Sequence, residues 1–349
     1  MRGGGHFIVF FIMSKIQFIH KYEDIISVEN LLDAWKEFLR GKKKKMDVQI
    51  FERNLMANII SLHEELKNKT YQHSAYEEFK ISDPKPRVIH KAKVRDRLLH
   101  HALYRYLYPF FTKTFIADSY SCRLGKGTHK AVKRFNDFYL KVSKNNTKQV
   151  WVLKCDIKKF FDSINQKILL NILDSYITDK EIMALLQKII GSFHKNTEGV
   201  GLPLGNLTSQ IFVNIYMNVF DQFAKHKLKA KYYIRYSDDF VFLSDDLKFL
   251  ENILPKAMDF LIERLKLALH PKKVSINTFS SGVDFLGWVN FVDYKVLRTT
   301  TKRKMFRRLK ASQAKETIAS YLGMLKHGNT FKIKQNIIDL MEIKQNNSK

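Results

Sequence analysis

The residues Tyr236-Ser237-Asp238-Asp239 constrain this chain more than any others. They lie between two apolar runs, Tyr232-Tyr233-Ile234-Arg235 and Phe240-Val241-Phe242-Leu243. Such runs around a short polar centre predict a β-hairpin with Ser237-Asp238 at its tip. Adjacent carboxylates on one turn repel each other and cost stability unless a cation joins them. Asp156 ends another apolar run, in which Trp151, Leu153 and Cys155 alternate with Val152, Lys154 and Asp156. The first set should face a core, and the second should place Asp156 at the strand's end, toward a cleft. Alone, an Asp after a strand reads as a turn residue or a helix cap. Paired with an Asp-Asp hairpin, it reads as half of a metal site.

The rest of the chain favours nucleic acid as the partner. Sixty-one Lys and Arg against 34 Asp and Glu leave a net charge of +27, a surplus that favours a polyanion. The blander reading is an ordinary basic protein. With 349 residues, 45% of them hydrophobic, the chain is globular and long enough for one large core or two to three small ones. Cys122 and Cys155 fall in elements that look buried and have no metal-ligand spacing. They predict reduced core thiols in a cytoplasmic protein, with neither a disulfide frame nor a zinc site. The run Phe7–Met13 is too short to span a bilayer, and Ser14-Lys15-Ile16-Gln17 offers no small-residue cleavage site. We expect residues 1–19 to be a disordered leader, with Met13 as an alternative start, and no membrane partner.

Along the chain, Ile26, Leu31, Leu32, Trp35 and Leu39 predict a helical stripe ending near Gly41. Lys42-Lys43-Lys44-Lys45 interrupts it, as a solvated loop or a phosphate contact, before a second helix through Phe51, Leu55, Ile59 and Leu62. Pro84 and Pro86 bracket Lys85 ahead of a short strand at Arg87-Val88-Ile89, and Leu99, Leu103, Leu107 and Phe110 form one face of a helix. His100 and His101 on that helix read as packing residues, and Tyr104, Tyr106, Tyr108, Phe110 and Phe111 as core rather than a base-stacking platform. The basic loop Ser119–Thr128 lacks the Lys-Ser/Thr ending of a phosphate-binding P-loop. Residues 150–290 predict a strand at 150–156, helices near 166–176, 180–191, 208–227 and 248–267, a hairpin at 231–244, and a short hairpin near Phe285-Leu286-Gly287. An α+β fold with a small ferredoxin-like antiparallel sheet and helices on one face fits this order.

The chemistry these acids suit is phosphodiester formation, which uses two Mg²⁺ ions roughly 3.5–4 Å apart. Magnesium takes hard oxygen ligands from a few carboxylates, the rest being phosphate and water. Asp156 and Asp238 would bridge both ions, with Asp239 as a supporting charge and the Ile157 carbonyl as a further ligand; Mn²⁺ is the alternative ion. Between the acids lies Gly201-Leu202-Pro203-Leu204-Gly205-Asn206-Leu207-Thr208-Ser209-Gln210, a glycine-bracketed loop that lets backbone come close to a nucleotide. Gly-Leu-Pro-Leu-Gly alone is a plain turn, and its position between the acids gives it weight. Lys302, Arg303, Lys304, Arg307 and Arg308 open a basic helical tail suited to a nucleic-acid backbone.

Together these blocks resemble a reverse transcriptase over about residues 80 to 290. Lys154–Asp162 is similar to the family's first metal motif, and Tyr236-Ser237-Asp238-Asp239 to its Tyr-x-Asp-Asp box. The resemblance implies a right-hand polymerase with fingers at 20–148 (interwoven with the palm), a catalytic palm at 149–294 and a short basic helical thumb at 295–349. It implies that Phe161 excludes the ribonucleotide 2′-hydroxyl and that Lys273 assists pyrophosphate departure. Phe285-Leu286-Gly287 would be the primer grip, and Arg87 and Arg97 would hold the triphosphate. Tyr236, Pro203, Leu204 and Gly205 would line the nucleotide site. Template RNA, a DNA primer and its cDNA, and dNTPs are the implied partners.

Within that group II intron-like family, Ser119–Thr128 and Gly205–Gln210 most resemble the enzymes of diversity-generating retroelements. Those copy a template RNA with errors at adenines, and the resemblance suggests a small basic accessory protein. A retron-type or antiviral-defence reverse transcriptase is the alternative, followed by a non-catalytic RNA-binding scaffold. One departure has physical content. Many reverse transcriptases carry Gln where this chain has Leu204, and a leucine cannot donate a hydrogen bond beside the incoming nucleotide. Geometry checking should then rest on shape, which predicts relaxed fidelity.

Overall fold

In the computed structural model, which describes residues 16–81, 86–311 and 314–346, the chain opens with α1 (Tyr22–Ile26), α2 (Val28–Phe38), α3 (Met46–Arg53) and α4 (Leu55–Lys67). The first expected helix is two, because the Ser27 hydroxyl accepts the Asn30 N–H and caps α2 afresh. Ile26, Leu31 and Trp35 are buried, with Leu32 and Leu39 packed at the core's edge. Lys42–Lys45 form the turn to α3: Lys42 donates to the Phe38 carbonyl and the other three are exposed, a solvated loop. Residues 1–15, Met13 among them, lie outside the described residues, as do Pro84 and Lys85. Residues 16–19 depart from the disorder expected of a leader. Phe18 is buried, and its N–H donates to the Tyr176 carbonyl at 2.9 Å.

A hairpin of β1 (Glu77–Ile81) and β2 (Arg87–Lys91) leads to α5 (Val94–Phe111) and, after the loop at 112–127, to α6 (Thr128–Val142). His100 and His101 are packing residues as expected, and burial pushes their imidazoles down to about 3 and about 4. Cys155 is buried but Cys122 is exposed, against expectation: its loop turns there with a positive φ and points the thiol outward.

The central region runs β3 (Trp151–Asp156), α7 (Gln166–Asp174), α8 (Lys180–Gly191), α9 (Leu207–His226), β4 (Tyr233–Tyr236), β5 (Asp239–Ser244), α10 (Leu247–Leu265) and β6 (Ser275–Thr278). The four strands form one antiparallel sheet in the order β4-β5-β3-β6, the ferredoxin-like arrangement. Leu153, Cys155, Tyr233, Phe240 and Phe242 face the larger core, beneath α9 and α10. Helices on one face were expected, yet the other face is covered too. Val152, Ile234, Val241 and Leu243 join a second core with α6 and the C-terminal segments. Register is set by side-chain size and by Asp239: a one-residue slip of β5 would exchange Phe240 and Phe242 with the smaller Val241 and Leu243 between the two cores and drive Asp239 inward.

A three-stranded sheet, β7 (Val283–Phe285), β8 (Trp288–Asn290) and β9 (Lys295–Leu297), precedes α11 (Thr299–Ala311), α12 (Lys315–Leu325) and α13 (Phe331–Asn346). The β7–β8 turn is Leu286-Gly287, both with positive φ. Among the described residues, no helix is long and apolar enough to cross a membrane.

Candidate functional site

The hairpin forms as its sequence dictates. Tyr236 and Asp239 are paired, leaving Ser237-Asp238 as a two-residue turn whose first position has a φ of +59°. Asp239 also faces Asp156 directly across the β3–β5 ladder. Partners in an antiparallel ladder project to the same side, so these two carboxyls share the face of the sheet that carries Lys154. The Ile157 N–H donates to the Asp238 carbonyl at 3.2 Å and ties the end of β3 to the turn. Three acids from two separated stretches thus meet at one end of the sheet, and α6 covers the apolar remainder of that face.

Their charges are only partly compensated. Burial pushes the Asp239 carboxyl up to about 6, with Asp238 and Asp156 adding to the shift and the Lys154 ammonium opposing it. Burial likewise raises Asp238, with Asp156 adding repulsion while Lys273 and Arg87 act against it. Lys273 Nζ meets Asp156 Oδ1 at 2.7 Å, and its segment is fixed because the His270 N–H donates to the Asp156 carbonyl at 2.7 Å. Lys154 Nζ donates to the Asp284 carbonyl at 2.6 Å, joining the acidic face to the β7–β8 hairpin.

The donor set suits a hard divalent cation: three carboxylates, half-buried or buried, two of them held above their ordinary range by burial and mutual repulsion. Among the described residues, no three such side chains already converge tightly enough to hold an ion, and the Lys273 ammonium takes up one Asp156 oxygen.

The glycine-bracketed loop is tied to the segment that follows β3 and to β2. The Leu202 N–H donates to the Phe161 carbonyl at 2.9 Å, and the Gly201 N–H to the Ile164 carbonyl at 2.8 Å. On its other side the His90 N–H of β2 donates to the Leu204 carbonyl at 2.9 Å, and Asn206 Nδ2 donates to the His90 carbonyl at 3.0 Å. Gly205 has a φ of +114°, and a Cβ there would lie 2.7 Å from Ile89 Cγ2, so only glycine fits without displacement. Pro203 is buried, while Phe161 and Leu204 are half-buried. Tyr236 accepts a hydrogen bond from Thr128 Oγ1 at 3.2 Å, which brings the start of α6 to the hairpin.

Other expected site residues are placed less directly. Arg97 is not brought to the acids: it pairs with Asp47 and its guanidinium lies over the Phe38 ring at 5.2 Å. Phe285 is buried in the second core and anchors the Leu286-Gly287 turn, which is half-exposed. On α11, Met305 and Leu309 face inward, Arg303, Arg307 and Arg308 are exposed, and Lys302 is half-buried. Lys304 and Arg308 line a cleft of about 460 Å³ with Arg298, Ser320 and Tyr321. Sequence reasoning missed Lys154, Arg235 and Asp221. The available signal was a charged residue at an inward position of an apolar run.

Residues 79–290 match the sequence family described as reverse transcriptase (RNA-dependent DNA polymerase). Protein YkfC of Escherichia coli (strain K12) is 26% identical over 234 residues, covering 56% of this chain and 60% of that protein. The putative COX1/OXI3 intron 2 protein of Saccharomyces cerevisiae is 24% identical over 223 residues, covering 46% of this chain and 25% of its own length. The chain thus spans less than two thirds of either relative. Among solved structures, a Candida albicans telomerase bound to a fragment of telomeric RNA aligns with a TM-score of 0.47 at 12% identity, over 65% of this chain and 47% of that one.

Proposed function

The chain belongs to the reverse transcriptase family and has its right-hand polymerase fold, and from that premise we propose that it copies an RNA template into DNA from a primer hydroxyl. The observation that carries the reading is the meeting of Asp156 and Asp239 as direct ladder partners beside the Asp238 turn, in a cluster whose repulsion a divalent cation would relieve. Asp156 and Asp238 would hold Mg²⁺, or Mn²⁺, with Asp239 and the Ile157 carbonyl in support. Bound there, the ions would supply activation of the primer hydroxyl and neutralisation of the triphosphate. The chain's own groups would position the reactants, the main source of rate in phosphoryl transfer.

Phe161 and the Pro203-Leu204-Gly205 backbone would form the wall of the dNTP site, with Tyr236 beneath it and Arg87 supplying positive charge toward the triphosphate. Lys273, whose ammonium lies against Asp156, would supply positive charge toward the departing pyrophosphate. Leu286-Gly287 would meet the primer end. The basic residues of α11 would follow the backbone of the template–primer duplex. In this scheme the fingers span 20–148, the palm 149–294 and the thumb 295–349.

We further propose error-prone copying within a diversity-generating retroelement. The Leu204 side chain, half-exposed and lacking any donor, is what favours this over a faithful copier. A small basic accessory protein would complete that system. Primer extension on an RNA template with dNTPs and Mg²⁺ tests the activity. Wild type should extend the primer and Asp238→Ala should not; equal extension by both would exclude this site.

A further inference from the structure

Behind the Tyr236–Asp239 turn lies a pair of opposite charges that the proposed chemistry does not use. Arg235 on β4 and Asp221 on α9 are both 0% exposed. Arg235 Nε donates to Asp221 Oδ1 at 2.8 Å and Nη2 to Oδ2 at 2.7 Å, a two-pronged contact. The Tyr233 hydroxyl donates to the same Oδ1 at 2.8 Å. The remaining guanidinium protons reach away from the pair. Nη1 donates to the Ser237 carbonyl at 3.1 Å, and Nη2 to Ser119 Oγ at 3.2 Å. Asn214 Oδ1 lies 3.4 Å from both terminal nitrogens, and its Nδ2 donates to the Ser121 carbonyl at 3.1 Å.

Taking two charges out of water is expensive, and apolar residues of similar volume often serve stability as well. What apolar residues cannot do is grip a carbonyl. Ser237 is the first residue of the turn, and its φ of +59° is disfavoured for a residue with a Cβ. Its carbonyl is the turn group that Arg235 holds from behind. The Arg235 backbone is fixed as well: its N–H donates to the Asp118 carbonyl and its carbonyl accepts from the Tyr120 N–H, both at 3.0 Å. One guanidinium therefore ties together α9, the segment 118–121 and the turn that presents Asp238.

We propose that Arg235, anchored by Asp221, is a positioning residue that fixes the Ser237 carbonyl and so sets the direction in which Asp238 presents its carboxylate to the metal. The proposal rests on the reading of Asp156, Asp238 and Asp239 as the metal site. It predicts an effect on metal requirement that loss of stability alone would not produce.

The test compares wild type, Asp221→Asn, Arg235→Lys and the double variant Arg235→Met/Asp221→Leu in primer extension across a Mg²⁺ titration, each checked by thermal melting. The double variant removes both charges at once and leaves no lone buried ion. Lysine keeps the charge but not the fork. In the variants that melt cooperatively, the Mg²⁺ concentration for half-maximal extension should rise about tenfold or more, the usual effect of losing a group that orients a metal ligand. KM for template–primer should stay unchanged. An unchanged Mg²⁺ requirement in a folded variant overturns the proposal, and so does loss of the fold in all three, which would assign the pair to stability alone. Failure of the underlying reading is distinct, because wild type would then extend no primer at any Mg²⁺ concentration or Asp238→Ala would extend it as well as wild type does.

Discussion

Replacing Asp239 with asparagine should stabilise the metal-free protein at neutral pH while disabling its site. The Asp239 carboxyl is pushed up to about 6 against an ordinary value of 3.8. A carboxyl raised on folding binds its proton more tightly in the native state, so folding is penalised once the group must ionise. The penalty is absent below about pH 4, grows through the window between about 4 and 6, and is complete above it. A rise of that size corresponds to at most about 3 kcal/mol. For a chain of this length, with about 2 cal/mol/K of unfolding entropy per residue, that is about 4 °C in Tm. Asparagine carries no charge and escapes the penalty. Melting curves in EDTA at pH 4.5 and 7.5 would measure the difference. Asp239→Asn should gain several degrees over wild type at pH 7.5 and little at pH 4.5. Adding Mg²⁺ at pH 7.5 should raise wild type and narrow the gap. A variant no more stable than wild type at pH 7.5, or a gain independent of pH, would refute the electrostatic reasoning.

Two further substitutions probe the neighbouring loop. Leu204→Gln puts a side-chain donor at the position proposed to adjoin the nucleotide and should lower misincorporation opposite template adenine by about two- to twelvefold, the worth of one hydrogen bond; equal error rates measured by sequencing the products would sink the fidelity argument. Gly205→Ala forces a Cβ against Ile89 at a φ of +114° and should cost about 1–3 kcal/mol in denaturant melts. It should also raise KM for dNTPs, because Leu204 and Asn206 are both tied to β2 through His90.

The parts of the site that the sequence made legible are those set by local pattern. The hairpin at Tyr236–Asp239 follows from two apolar runs around two turn residues, and the orientation of Asp156 from strict alternation along β3. That Asp156 and the hairpin acids belong to one metal site is read from their pairing in the sequence, whereas the direct opposition of Asp156 and Asp239 is supplied only by the antiparallel register. What stayed hidden depends on contacts between distant segments. Arg235 is a charge at an inward position of an apolar run, but its partner is not visible in sequence until α9 places Asp221 against it. Arg97 resembled a phosphate ligand, but Asp47, distant in sequence, takes its guanidinium. The covered second face of the sheet arises from α6 and the C-terminal segments folding back, which no local periodicity reports. The break at Ser27 was legible in principle, since a serine three residues before Asn30 is a strong cap, but the apolar stripe ran straight across it.

The most direct test of the central claim is single-turnover primer extension on an RNA template by Asp156→Asn, run beside a thermal melt of the same preparation. Asparagine removes the charge that Lys273 now meets while keeping the side-chain volume at the end of β3. No detectable extension is expected at any Mg²⁺ concentration from protein that still melts cooperatively. Extension at the wild-type rate from that folded variant would contradict the assignment of Asp156 to the metal site.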